Sequence, residues 1–242
     1  MSEQIPQSYV AIDLETTGLN PKEDKIIEIG GILVRDGVVA KEKATLVNPR
    51  KILSEHIKEL TGIEDSELEQ APGIEEIIEE YLNFCEDLPL LGHNIMFDYR
   101  FLKRAAVNHG FLFEKDGIDT LTLSRKFMPE DLPKNLGSSC SYYHIKTTSA
   151  HRALADAYGA HYLYQSMAKL YGKEAAREFF PKKLIYKVKK EQPASKRQKE
   201  VLHELIKYHK IETTVQIEYL SRNEVSRMTD KIISQYGRIV KR

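Results

Sequence analysis

At 242 residues, with 41% hydrophobic and 30% charged side chains, the chain has the size of one medium domain plus an appendage and can bury a core. No apolar run approaches the roughly 18 residues of a membrane span, and the polar start Met1-Ser2-Glu3-Gln4 is unlike a signal peptide, so a membrane protein is excluded and a cytoplasmic one expected. The net charge of zero conceals an acidic body, residues 1–180, and a basic tail, residues 181–242, which holds 16 Lys+Arg against 7 Asp+Glu. Such a tail fits a polyanion partner, or attraction to the acidic body.

The chain opens with three strand signals, Tyr9–Leu14, Ile26–Arg35 and Val38–Val47. Gly18-Leu19-Asn20-Pro21 reads as a turn between the first two, and Asp36-Gly37 as a tight hairpin turn between the second and third. Helical stretches follow over Glu55–Leu60 and Ile74–Glu86, then a short buried strand, Leu88–Gly92, and a helix over Phe97–His109 that Gly110 can cap. Ile118-Asp119-Thr120 reads as a fifth strand, followed by a helix over Leu121–Phe127, a loop with a short helix across 130–147, and a long helix over Arg152–Tyr171. Cys85 and Cys140 lack metal-ligand spacing and read as free thiols of a reducing compartment. Strands able to pair antiparallel, then helices alternating with strands, predict an α/β sheet covered by helices over 1–180. Residues 181–194 read as a basic linker. The module at 195–242 reads as two helices, each opened by a capping box, Ser195-Lys196-Arg197-Gln198 and Ser221-Arg222-Asn223-Glu224. Leu220 and Val225 can staple the second, and Gly237 can end it.

Residues two apart on a strand share a face, so Tyr9, Ala11, Asp13 and Glu15 point one way and Val10, Ile12 and Leu14 the other. Two carboxylates ending an otherwise apolar strand are costly to desolvate unless a cation compensates, and the hard ions Mg²⁺ or Mn²⁺ would do so. For a lone Asp-x-Glu, a strand end that simply emerges into solvent is the more ordinary explanation. Asp98, in the first turn of a predicted helix, also complements the helix dipole. His93 and Asn94 leave a short strand, where α/β folds place ligand-contacting groups, although a loop histidine can simply bond the backbone. His151 and Asp156, five apart, would diverge by about 140° on a regular helix. They can face one site only if His151 precedes the helix, with Thr147-Thr148-Ser149 supplying capping residues. Ala153, Ala155, Ala157 and Ala160 would let that helix approach the sheet closely.

Taken in order, Ile12-Asp13-Leu14-Glu15-Thr16-Thr17-Gly18-Leu19, Gly92-His93-Asn94-Ile95-Met96-Phe97-Asp98 and His151-Arg152-Ala153-Leu154-Ala155-Asp156-Ala157 resemble the DEDD-type 3′–5′ exonucleases. The resemblance is to the branch with a catalytic histidine five residues before the last aspartate (DEDDh). Leu60-Thr61-Gly62-Ile63 and Ile118-Asp119-Thr120-Leu121 look like further landmarks. It spans about residues 7–171 and is nearest to the proofreading exonuclease, the epsilon-like subunit, of bacterial DNA polymerase III.

This resemblance implies a ribonuclease-H-like fold with a mixed five-stranded sheet, and two divalent cations, Mg²⁺ or Mn²⁺, that stabilise the attacking and leaving oxygens at phosphorus. Asp13 would bridge the ions, Glu15 and Asp156 would complete the first, and Asp98 would hold the second. His151 would be the general base, a task that an imidazole of ordinary pKa near 6.5 suits at neutral pH. The product would be a nucleoside 5′-monophosphate from a DNA 3′ end, in replication proofreading or repair. Thr16, Thr17, Leu19, Asn94 and Phe97 would meet the strand and His93 a phosphate, with core packing the alternative for Leu19 and Phe97.

Two other readings stay open. An exoribonuclease or oligonucleotide scavenger would use the same carboxylates, and a non-catalytic nucleic-acid-binding subunit could keep the fold. For the tail, Lys182, Lys183, Lys187, Lys189 and Lys190 are the candidate phosphate contacts, while a DNA polymerase or repair protein is an alternative partner for its helices.

Overall fold

β-branched runs on either side of Asp36-Gly37 form the expected meander, β1 (Tyr9–Thr16), β2 (Ile26–Arg35) and β3 (Val38–Leu46). Asp36 and Gly37 both take positive φ, 51° and 79°, the turn whose twist matches antiparallel strands. The structure is a computed structural model that describes residues 4–147 and 151–239. It divides into two units, Met1–Pro49 with Leu53–Val188, and Arg50–Ile52 with Lys189–Arg242. Thr148 and Ser149, expected as capping residues, lie outside the described residues, as do Met1-Ser2-Glu3.

In the first unit the meander is followed by α1 (Glu55–Thr61), α2 (Asp65–Glu69), α3 (Ile74–Phe84), β4 (Leu90–Gly92), α4 (Ile95–Asn108), β5 (Asp116–Asp119), α5 (Thr120–Phe127), α6 (Leu136–Tyr142) and α7 (Ala153–Tyr171). Strand order is β3-β2-β1-β4-β5-β6, where β6 is Lys182–Lys183. β1, β4 and β5 run parallel, whereas β2, β3 and β6 pair antiparallel to their neighbours. The carboxyl ends of the three parallel strands therefore share one edge, the place where α/β sheets hold ligands.

The alternation read in β1 sorts the core. Val10, Ile12 and Leu14 pack with Ile77, Ile78 and Tyr81 of α3 and Tyr99 and Leu102 of α4. On the other face Tyr9 and Ala11 join Ile32, Val34 and Leu91 beneath Ala160, Leu163, Tyr164 and Met167 of α7. Small residues bring α7 close: Ala153 and Ala157 are fully buried, and a Cβ at Gly30 of β2 would collide with the backbone of Ala153 and Leu154.

Three expectations are corrected. The sheet has six strands, because Gly117 and Asp116 offer β5's outer edge to Lys182 and Lys183; two lysines carry no apolar alternation to announce a strand. For the same reason residues 181–188 are not linker: they belong to the first unit, and Leu184 is buried against the α4 side of the core. Thr120 begins a helix rather than ending a strand, since the Asp119 side chain caps α5 by accepting the Leu121 N–H at 3.0 Å. The short α2, unforeseen, forms where Glu67 bonds the Glu64 N–H at 2.9 Å.

The second unit holds α8 (Lys196–His209) and α9 (Arg222–Tyr236), with both capping boxes present and Gly237 at the end of α9 with φ 89°. Leu202, Leu205, Ile217, Val225 and Ile232 form its core, with Leu220 packed against it. The unit also takes in Arg50–Ile52, through a Lys51–Val215 bridge. Among the described residues no helix is long and apolar enough to cross a membrane.

Candidate active site

The carboxylates separated along the sequence meet at the shared strand edge. Asp13 and Glu15 point from β1 toward the α7 face, standing opposite Gly30 and Glu28 of β2. β4 pairs with β1 only at Val10 and Ala11. The Leu14 N–H is instead taken by Asp98, from the first turn of α4, whose Oδ1 accepts it at 3.0 Å. A short β4 thus makes room for Asp98 beside the end of β1. From the other face comes Asp156, in the first turn of α7.

His151 precedes α7, as the 140° divergence requires. Its φ is 61°, and its N–H donates to Asp156 Oδ2 at 2.9 Å. Ligand-capable atoms of Glu15, His151 and Asp156 all lie within 4.8 Å of one another. Arg152 occupies the N-cap position, and its guanidinium reaches Glu28 Oε1 through Nη2 at 3.0 Å and Nε at 3.2 Å.

Burial and crowding make this edge hungry for positive charge. Burial, then the charges of Asp98, Asp156 and Glu15, hold Asp13 well above the ordinary carboxylate range. Burial likewise raises Asp98 and Asp156, and burial together with Asp156 and Glu28 pushes Glu15 up to about 7. Carboxylate oxygens from four acids suit hard divalent cations, and a cation would reverse the cost of ionising them. The residues fit such ions.

A pH dependence follows. The folded metal-free site binds a proton on Glu15 more tightly than the unfolded chain does, whose ordinary value is 4.5. Its contribution to stability is full below about pH 4.5 and is lost as the pH rises through about 7. The loss from Glu15 is on the order of 3 kcal/mol. Melting of the metal-free protein should fall between pH 5 and pH 8, and Mg²⁺ or Mn²⁺ should restore it most at pH 8. A melting temperature flat across that range would contradict the electrostatics.

The expected strand contacts divide. Leu19 is 84% exposed, at the tip of the loop after β1. Asp24 stiffens that loop, accepting from Thr17 Oγ1 at 3.1 Å and the Asn20 N–H at 3.0 Å. The hydroxyls of Thr16 and Thr17 are directed inward, to Gly18 O at 2.7 Å and to Asp24, so neither needs a ligand. Asn94 is exposed, with φ 76°, and its N–H donates to Asp119 Oδ1 at 2.9 Å. Phe97 is half-buried against Phe101. His93 has both ring nitrogens engaged, Nδ1 with Thr120 Oγ1 at 3.0 Å and Nε2 with Lys134 O at 2.7 Å. Burial lowers its pKa, so it is spent on structure here rather than offered to a phosphate. Lys182, Lys183 and Lys187 of the first unit, and Lys189 and Lys190 of the second, are all exposed.

Sequence reasoning gives no role to Asp24, Glu28, Asp119 or Arg152, although Asp119 and Arg152 lie inside the motifs that carry the resemblance. Glu28 has a signal of its own, as an acid within the apolar run Ile26-Ile27-Glu28-Ile29.

Residues 10–164 match the model of the family described as Exonuclease, RNase_T. DNA polymerase III PolC-type of Thermotoga maritima is 38% identical over 151 residues, 62% of this chain and 11% of that protein. The PolC-type polymerase of Bacillus subtilis is 36% identical over 168 residues, 67% of this chain and 12% of its own length. The chain thus spans about a tenth of these relatives. Among solved structures, exonuclease X in complex with 5′ overhanging duplex DNA superposes with a TM-score of 0.56 at 24% identity, covering 71% of this chain and 99% of that one. E. coli exonuclease I in complex with a dT13 oligonucleotide gives 0.60 at 19% identity, covering 72% and 43%. These likenesses place the first unit's sheet and helices in the ribonuclease-H-like exonuclease fold.

Proposed function

The chain belongs to the exonuclease (RNase_T) family, and from that membership we propose that it removes nucleoside 5′-monophosphates from DNA 3′ ends, in replication proofreading or repair. The observation that carries this reading is the meeting of Asp13, Glu15, Asp98, Asp156 and His151 at one sheet edge from three separate segments. Asp13, Glu15, Asp98 and Asp156 would hold two divalent cations, Mg²⁺ or Mn²⁺, whose charge would stabilise the attacking and leaving oxygens at phosphorus. His151 takes the proton of the attacking water on an imidazole nitrogen, and Asp156 fixes the turn that presents it. Asp98 holds the end of β1 in place through Leu14 while contributing its second oxygen to the site. Leu19, apolar and exposed on a stiffened loop, suits stacking against the terminal base.

DNA as substrate is supported by the PolC-type relatives, which are DNA polymerases by name. Rates on matched DNA and RNA 3′ ends test it: faster loss of DNA supports the reading, and faster loss of RNA replaces the substrate with RNA. The exposed lysines that end the first unit and begin the second are proposed to assist through the strand's phosphates. Replacing Lys182, Lys183, Lys187, Lys189 and Lys190 by Gln should flatten the log–log salt dependence of single-strand binding by about 0.7 per lost contact. An unchanged slope would turn the tail toward a protein partner such as a polymerase.

A further inference from the structure

We infer that Glu28 and Arg152 form a clamp that positions His151, an inference that takes the role of His151 from the exonuclease reading and the manner of its holding from geometry. α7 begins without a cap of its own, since Arg152 at the N-cap makes no side-chain cap bond. Glu28 of β2 does that work from across the sheet. Its Oε2 accepts the Ala153 N–H at 3.0 Å, and its Oε1 accepts from Arg152 at 3.0 and 3.2 Å. One carboxylate thereby holds both residues that follow His151.

His151 itself stands at φ 61°, a conformation that a residue bearing a Cβ keeps only where its surroundings impose it. Two acids impose it. Asp156 holds the His151 N–H at 2.9 Å, and Glu28 holds the next two residues. Asp156 also belongs to the donor set, so Glu28–Arg152 is the part of this hold that the reaction does not otherwise use. Glu28 stands opposite Glu15 in the β1–β2 register and two residues before Gly30, where α7 touches the sheet. The clamp therefore references His151 to β2, the strand paired with the β1 residues Asp13 and Glu15.

A gain in stability is a weak reason for the pair. Glu28 is 3% exposed, and a buried acid paired with arginine is commonly matched or exceeded in stability by apolar side chains of similar volume. A fork that must hold a turn at a defined register has a use for the charge and its direction.

Glu28→Gln, Arg152→Ala and the double variant test the clamp in the full chain. With an oligonucleotide substrate, kcat should fall roughly 10–100-fold in each single variant, while KM and Mn²⁺ affinity stay within about threefold, a small change on the logarithmic scale of affinity. The double variant should lose little beyond the singles, because the partners act as one unit. Independently of activity, the His151 ring signals in the NMR spectrum of the metal-free protein should shift and broaden in both single variants. Unchanged kcat with an unchanged His151 signal would overturn the clamp. Additive losses in the double variant would do the same. Should Glu28→Gln not fold, Arg152→Ala, whose side chain is 47% exposed, carries the test alone. A wild-type protein without metal-dependent nuclease activity would instead sink the exonuclease reading, and the NMR comparison would still decide whether Glu28 and Arg152 hold His151.

Discussion

Asp13→Ala is expected to reduce nucleotide release by about a thousandfold or more, the rate equivalent of several kcal/mol of lost charge stabilisation. Asp13 is the residue whose loss should cost most, because Asp98, Asp156 and Glu15 all press on it electrostatically. The same crowding gives the substitution an opposite effect on stability. Removing one of the mutually repelling acids should leave the metal-free variant more stable than wild type at pH 8. Its melting temperature should then respond little to Mn²⁺, whereas that of the wild type rises. Binding to single-stranded DNA in metal-free buffer should persist, since the acids repel phosphate rather than attract it. Full activity in this variant would remove the metal-site assignment.

His151→Ala is expected to lower turnover by roughly 10²–10⁴-fold, the range of a positioned general base. What separates a base from a metal ligand is the rest of the profile. His151 lies within 4.8 Å of ligand-capable atoms of Glu15 and Asp156, so loss of a ligand would weaken Mn²⁺ binding markedly. Loss of a base should leave Mn²⁺ affinity within about threefold and abolish the limb of the pH–rate profile that reports deprotonation. An unchanged pH–rate profile would exclude His151 as the base.

The parts of the site that follow local rules were legible in the sequence. Alternation along β1 put Asp13 and Glu15 on one face, and helical spacing required His151 to precede α7; both hold. The capping boxes at Ser195 and Ser221 fix both helix starts in the second unit, because they are satisfied within four residues. What the sequence hid depends on distance along the chain. Arg152 meets Glu28 across 124 residues, and neither residue's local context announces the other. Asp98 matched a motif, but its bond to Leu14 depends on β4 being too short to pair there. β6 exists because β5 has an open edge, not because Lys182-Lys183 prefers a strand. His93 shows the converse error: its position after a strand suggested a ligand contact, whereas Thr120 and Lys134 occupy both its nitrogens.

The most direct measurement follows a 5′-labelled single-stranded DNA oligonucleotide incubated with the protein and Mg²⁺ or Mn²⁺, beside the same mixture with EDTA, with the small products identified by mass. The predicted result is a ladder that shortens one nucleotide at a time from the 3′ end, with deoxynucleoside 5′-monophosphates released and no cleavage in EDTA. Internal cuts, shortening from the 5′ end, or degradation that persists in EDTA would contradict a metal-dependent 3′–5′ exonuclease.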